Sequence, residues 1–128
     1  MKLLLDTHTL LWWFTDDPKL SPAAREAILN ESNEIFVSAA SAWEIAAKQR
    51  IGKLNDLPGL SSRFGELVAA DGFSHLPVNY LHSLRAGAYS LAHRDPFDRM
   101  LAAQSEIEFL ALVTIDPAFT LFGTDTFW

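Results

Sequence analysis

The chain has 128 residues, no cysteine and a formal net charge of −6, and 49% of its residues are hydrophobic. This length suits one domain with a single core, expected over residues 1–128, and the apolar fraction excludes a disordered chain. Lack of cysteine excludes a disulfide scaffold, a thiol nucleophile and a Cys-ligated zinc site, while the acidic balance argues against a general nucleic-acid coating protein.

Short apolar runs alternate with helical patterns from the N-terminus to residue 70. Residues 2–5 are apolar and end at Asp6, which is typical of a strand buried on both faces. Ser21 before Pro22 predicts an N-cap and a helix start. The predicted elements are a strand at 2–5, a helix at 10–14, a helix from Pro22, a strand at 34–37, and helices at 38–50 and 61–70.

The alternation continues to the end of the chain. Leu81, Leu84, Ala88 and Leu91 are spaced by three and four residues, which predicts an amphipathic helix. The predicted elements are a short strand at 76–78, helices at 79–92 and 97–108, and a strand at 110–115. The whole pattern predicts an α/β fold, with a mostly parallel sheet of four to five short strands and helices on both faces. No stretch approaches the roughly 20 apolar residues of a membrane span, so we expect no membrane partner.

Four acidic residues are predicted to meet at one edge of this sheet. Asp6 and Asp116 end strands, and Glu44 lies in the first turns of a helix that follows a strand. Asp98 opens a helix that leads into a strand, so it lies at the edge where that strand ends. Ligands of parallel sheets bind beyond the carboxyl ends of the strands, so this edge is the candidate site.

Each acid also has a local interpretation as a helix cap. Ser41 and Glu44 have the spacing of a capping box, and Asp6, Asp98 and Asp116 lie at or near helix starts. Caps are usually spread over a surface, whereas carboxylates gathered at one edge repel unless a cation is present. Oxygen ligands without Cys or paired His favour Mg²⁺ or Mn²⁺.

Such a site suits phosphoryl transfer, in which divalent ions activate water and stabilise the leaving oxygen. Thr7 and Thr114 stand beside the two strand-end aspartates. Their hydroxyls could orient a water, or they could simply pack at the edge of the sheet. The residues alone leave both interpretations open.

Four segments that carry these acids have a familiar order and spacing. They are LLLDTH (3–8), SAASAWEI (38–45), HRDPFDRMLAAQ (93–104) and VTID (113–116). Through them the sequence resembles PIN-domain ribonucleases of the VapC toxin type, over nearly the whole chain. The resemblance maps the acidic quartet of that family onto Asp6, Glu44, Asp98 and Asp116, and we interpret Asp95 as a helix cap.

The resemblance implies a function as well as a fold. It implies a Mg²⁺- or Mn²⁺-dependent endoribonuclease that acts on RNA, is usually a homodimer and is inhibited by a cognate antitoxin. A cytoplasmic location is expected with it. Arg94 and Arg99 are candidate contacts for RNA phosphates or for the antitoxin. The four histidines show no metal-binding spacing and are interpreted as ordinary polar or core residues.

Two further features of the sequence have more than one interpretation. Residues 11–14 read Leu-Trp-Trp-Phe, so either at least one of them faces outward to a partner or the helix is sandwiched in the core. The chain could also be a phosphatase with Asp6 as nucleophile, although His8 occupies the position where one such class has a second aspartate. A non-catalytic interaction module is the third possibility.

Overall fold

The computed structural model describes residues 1–128 and contains one sheet of five parallel strands in the order β3-β2-β1-β4-β5. The strands are β1 (Lys2–Leu5), β2 (Glu34–Ser38), β3 (Ser74–Leu76), β4 (Ala111–Val113) and β5 (Thr126–Phe127). The α/β fold with a parallel sheet is therefore confirmed.

Six α-helices and one 3₁₀ helix connect the strands. They are α1 (Thr7–Thr15), α2 (Pro22–Leu29), α3 (Ala39–Arg50), α4 (Leu60–Ala70), α5 (Tyr80–Ala88), α6 (Pro96–Glu108) and the 3₁₀ helix Pro117–Phe122. The predicted cap of α2 is confirmed, because the Ser21 side chain accepts a hydrogen bond from the Ala24 amide at 3.0 Å. None of these helices has the length and apolar character required to cross a membrane.

The first strand separates two hydrophobic layers. Leu3 and Leu5 pack into one cluster with residues of α1, α2, α3 and α4. Leu4 points to the opposite face and packs with Leu101, Ala102 and other residues of α5, α6 and the 3₁₀ helix. All three leucines are fully buried, as expected for a central parallel strand covered by helices on both faces.

The aromatic run in α1 belongs to the core. Leu11 is buried, and Trp12, Trp13 and Phe14 pack half-buried against the first cluster. Trp13 donates a hydrogen bond from Nε1 to Asp71 at 2.9 Å, and Trp12 meets the ring of Trp128. None of the four side chains is fully exposed, which favours the sandwiched arrangement over one that turns a residue outward.

Several predicted boundaries differ from the observed ones. The third strand is Ser74–Leu76 rather than 76–78, the fourth is only Ala111–Val113, and β5 was not predicted. The helix predicted at 79–92 ends at Ala88. Tyr89 leaves the helical conformation, with φ −54° and ψ 127°, and Arg99 donates hydrogen bonds to the Ala86 and Gly87 carbonyls that the helix end leaves free.

The position of β1 within the sheet determines where a crevice is expected. β1 pairs with β2 on one side and with β4 on the other, so the direction of strand order changes beside it. Beyond the strand ends, the Asp6 amide still donates to the Val113 carbonyl at 3.1 Å. A crevice at the carboxyl ends of strands is expected where strand order reverses in this way.

The buried position of Leu4 provides a test of this layered core. We expect Leu4→Ala to lower the free energy of unfolding by about 2–5 kcal/mol, because it removes apolar contacts and leaves a cavity. Urea unfolding followed by circular dichroism measures the change. The control is Leu121→Ala, since Leu121 is 65% exposed and its truncation should change stability by about 0.5 kcal/mol or less. Equal effects of the two variants would contradict this core assignment.

Candidate functional site

Asp6 lies at the junction between β1 and α1. Its backbone occupies the N-cap position of α1, yet its carboxylate makes no capping hydrogen bond, so the cap interpretation is wrong for this residue. Oδ2 instead accepts a hydrogen bond of 2.7 Å from the Thr114 hydroxyl, and the residue is only 4% exposed. The carboxylate is thus held between the ends of β1 and β4.

Thr114 connects Asp6 to Asp116. Its hydroxyl oxygen accepts a hydrogen bond of 3.0 Å from the Asp116 amide while donating to Asp6. Asp116 Oδ1 accepts from the Ala118 amide at 2.9 Å, so this aspartate does cap the 3₁₀ helix. Because it serves both aspartates, Thr114 is a fixed part of the site.

Asp98 lies in the first turn of α6. Its carboxylate Oδ2 accepts a hydrogen bond of 2.9 Å from His93 Nε2. Asp95 caps the same helix by accepting from the Phe97 and Asp98 amides, which confirms the interpretation of Asp95 as a cap. The carboxylate of Asp98 is therefore not used in capping.

Glu44 is held differently from the other three acids. Its side chain is buried in the second turn of α3, and Oε2 pairs with Lys48 Nζ at 2.7 Å. The capping-box interpretation is wrong, because Ser38 caps α3 and Ser41 contacts the Thr7 hydroxyl at 2.8 Å. That Thr7–Ser41 contact joins the start of α3 to the start of α1, beside Asp6.

The charges of three acids influence one another. Burial, with a smaller contribution from the charge of Asp98, raises the pKa of Asp6 to about 6, although the hydrogen bond from Thr114 and the charge of His8 lower it. Burial also raises the pKa of Asp98, with contributions from the charges of Asp95 and Asp116, against the hydrogen bond from His93. Asp6, Asp98 and Asp116 therefore form one electrostatic group, whereas the polar contact of Glu44 is with Lys48.

One pattern is common to all four carboxylates. In each, one oxygen is held by a protein donor and the other accepts no hydrogen bond of ordinary geometry; the donors belong to Thr114, Lys48, His93 and Ala118. No buried side-chain oxygen lacks a partner, so these second oxygens reach solvent. The protein thus fixes each acid through one oxygen and leaves the other oxygen open.

This donor set fits a hard divalent cation. It consists of carboxylate and hydroxyl oxygens, without thiol or paired imidazole ligands. No group of three or more His, Asp or Glu side chains is arranged to enclose an ion as the side chains stand. Mg²⁺ commonly binds through one or two carboxylates and retains several waters, so a closed cage is not needed.

The sequence of the chain also matches a known protein family. The family model described as PIN domain matches residues 3–123. The chain belongs to the PIN domain family. No curated protein sequence matches it.

Solved structures extend the comparison of this PIN domain. It is similar to the structure of VapBC2 from Rickettsia felis bound to a DNA fragment from its promoter, with a TM-score of 0.72 and 14% identity over 99% of this chain and 98% of the other. It is also similar to VapBC-1 from nontypeable Haemophilus influenzae, with a TM-score of 0.68 and 19% identity over 100% and 96% of the two chains. A toxin–antitoxin complex from Klebsiella pneumoniae matches with a TM-score of 0.58 and 15% identity over 98% and 96%. At these low sequence identities, the TM-scores show that this chain and those proteins share a fold.

The two arginines predicted as ligand contacts differ within the PIN domain. Arg94 is exposed, as a contact residue must be. The prediction that Arg99 contacts RNA or an antitoxin is not supported, because its guanidinium donates to backbone carbonyls between Ala86 and His93. A guanidinium engaged in this way stabilises the loop before α6 and is not free to bind phosphate.

The sequence interpretation did not identify two histidines that lie beside the acids. His93 contacts Asp98 directly, and the charge of His8 lowers the pKa of Asp6. Both lie within the acidic segments LLLDTH and HRDPFDRMLAAQ, and that proximity was the available signal. A search for metal-binding His spacing could not find them, because each acts next to a carboxylate.

The raised pKa of Asp6 provides a test of the site. The folded state binds its proton more tightly than the unfolded chain, so ionised Asp6 lowers stability fully above pH 6, and this effect disappears as the pH falls to about 4. In EDTA at pH 7, Asp6→Asn should therefore raise the free energy of unfolding, by up to about 3 kcal/mol. Urea unfolding at pH 7 and pH 4 measures the difference.

The matched control is Asp125→Asn, which changes an exposed aspartate elsewhere. We expect it to change stability little at either pH. A loss of stability in Asp6→Asn at pH 7, or a gain that is equal at both pH values, would show that burial of the Asp6 charge is not the dominant effect.

Proposed function

We propose that this PIN domain is a metal-dependent endoribonuclease and the toxin of a toxin–antitoxin pair. The observation that supports the proposal is the set of carboxylates at the carboxyl edge of the sheet, each with one fixed oxygen and one open oxygen. The proposed ligands and catalytic residues are Asp6, Glu44, Asp98 and Asp116. The proposed cofactor is Mg²⁺ or Mn²⁺.

The residues of the chain have separate tasks in this proposal. A bound divalent ion supplies Lewis-acid chemistry toward a phosphodiester and a water nucleophile. Thr114 holds Asp6 and the backbone of Asp116 in fixed relation, and Lys48 fixes the orientation of Glu44. A bound cation would offset the burial and the charges of Asp95 and Asp116 that raise the pKa of Asp98.

RNA and an antitoxin are the proposed partners. The chain resembles proteins whose structures are VapBC and toxin–antitoxin complexes, which supports a cognate antitoxin. Its net charge of −6 means that RNA is held by few contacts, of which Arg94 is a candidate. We place the active protein in the cytoplasm, where RNA is available.

A homodimer is supported by an exposed apolar face. Tyr80, Leu84 and Gly87 share one side of α5, where Tyr80 is 72% and Leu84 is 67% exposed. This side adjoins a cleft of about 390 Å³ between α3, α5 and α6, whose walls include Gly87 and the 62% exposed Trp43. A face with projecting side chains beside a cleft can complement a second copy of itself, as a twofold contact between identical chains requires.

Cleavage assays test the enzymatic proposal. Pure protein is incubated with a mixed RNA pool in Mn²⁺ or in EDTA, alongside Asp6→Asn, Asp98→Asn and the control Asp125→Asn. We expect cleavage in Mn²⁺, none in EDTA, a loss of at least about 100-fold in the two site variants and wild-type cleavage in the control. Cleavage that persists in EDTA or in both site variants would contradict the proposal.

The same samples separate the other functions. If no sample cleaves RNA but wild type hydrolyses a small phosphate ester, Asp6 acts as the nucleophile of a phosphatase. If neither reaction occurs and a basic peptide binds the acidic edge, the domain is a non-catalytic interaction module.

Light scattering coupled to size-exclusion chromatography tests the dimer. We expect wild type to elute as a dimer and Leu84→Glu to shift to the monomer, because the substitution buries a charge in the apolar contact. Leu121→Glu changes an equally exposed leucine on the 3₁₀ helix and should leave the dimer intact. A monomeric wild type, or a dimer unaffected by Leu84→Glu, would refute this interface.

A further inference from the structure

The Arg99 side chain binds five backbone carbonyls at the end of α5 and in the segment that follows it. Arg99 donates from Nε to the Ala86 carbonyl at 2.8 Å, and its two terminal nitrogens donate to four more carbonyls of the same segment. Those carbonyls belong to Gly87 at 3.4 Å, Tyr89 at 2.6 Å, Leu91 at 3.2 Å and His93 at 2.9 Å. No helix or strand lies between Ala88 and Pro96, so these hydrogen bonds, together with the buried ring of Tyr89, hold the segment in place.

His93 is fixed at the end of this path. Its carbonyl is bound by Arg99, and its ring meets the ring of Phe122 edge to face, with centroids 5.6 Å apart and an interplanar angle of 84°. Only a quarter of the side chain is exposed. Both the backbone and the ring of His93 are therefore held before Asp98 is considered.

The contact of His93 with Asp98 determines where that carboxylate points. Nε2 donates to Oδ2 at 2.9 Å, since an ionised carboxylate can only accept. No other side chain binds the Asp98 carboxylate, while the neighbouring charges of Asp95, Asp116 and Asp6 oppose its ionised form. Without the imidazole, repulsion would favour rotamers that turn the carboxylate into solvent.

We propose that His93 is a positioning residue, which holds Asp98 with its second oxygen directed to the shared acidic edge, and that Arg99 positions His93 for this task. This inference rests on the proposed metal site. Hydrogen-bond partners of ligating carboxylates commonly change metal affinity by about 10- to 100-fold when removed. His93 is assigned a role through Asp98, to which its Nε2 donates.

Four variants of the full chain test the proposal through Mn²⁺ binding, measured by isothermal titration calorimetry. His93→Phe keeps a ring against Phe122 but removes the donor. His93→Gln places an amide nitrogen near the position of Nε2, whereas the shorter His93→Asn cannot reach Asp98. Asp98→Asn removes the carboxylate itself and shows the effect of losing this ligand.

We expect the Kd for Mn²⁺ to rise about 10- to 100-fold in His93→Phe and His93→Asn, and to return to within about threefold of wild type in His93→Gln. RNA cleavage by His93→Phe should recover at high Mn²⁺ concentration, which is a change in the metal requirement rather than in the maximal rate. Circular dichroism and thermal unfolding verify the fold of each variant, and His93→Asn decides the question if His93→Phe does not fold.

The outcomes distinguish this inference from the proposed function. Wild type that binds no Mn²⁺ would overturn the proposed metal site and the inference with it. Wild type that binds Mn²⁺, together with Asp98→Asn that does not, supports the site. In that case, unchanged affinity in His93→Phe and His93→Asn, or failure of His93→Gln to restore binding, would overturn the role of His93 alone.

Discussion

The hydrogen bond from Thr114 to Asp6 connects residues 108 positions apart and joins the ends of two central strands. It keeps a carboxylate that is 4% exposed in a position where burial opposes its charge. The rest of the site depends on this contact, because Asp116 is held through the same hydroxyl and Asp98 lies close enough to interact with the Asp6 charge. The sheet holds these charges together through backbone pairing and buried leucines.

The arrangement that lowers stability is one that a bound cation would stabilise. An acid that is costly to ionise in the folded protein is one that a cation can stabilise, since the cation replaces the missing solvent. Carboxylates with shifted pKa values are commonly concentrated at functional sites. The hydrogen bonds of Thr114 and His93 reduce the cost without neutralising the charge, and each leaves one oxygen open.

Much of this organisation could be predicted from the sequence. The apolar run before Asp6 and the alternation of strands and helices were sufficient to predict a parallel sheet and to place the acids at its carboxyl edge. Asp95 and Asp116 were recognisable as caps because capping is local. The pairing of Glu44 with Lys48 and the contacts of Arg99 with loop carbonyls were not, because side-chain partners depend on tertiary packing. The strand β5 has only two residues, too few for a pattern to indicate it.

The position of β4 in the sheet has a consequence for the order of folding during synthesis. β1 is made first, but β4 beside it comes from the last fifth of the chain, and parallel pairing between such distant segments forms slowly. The nascent polypeptide on the ribosome therefore carries Asp6 and Glu44 for most of translation without the strand that completes the crevice. The crevice at the end of β1 is therefore complete only after β4 has been synthesised and has paired with it.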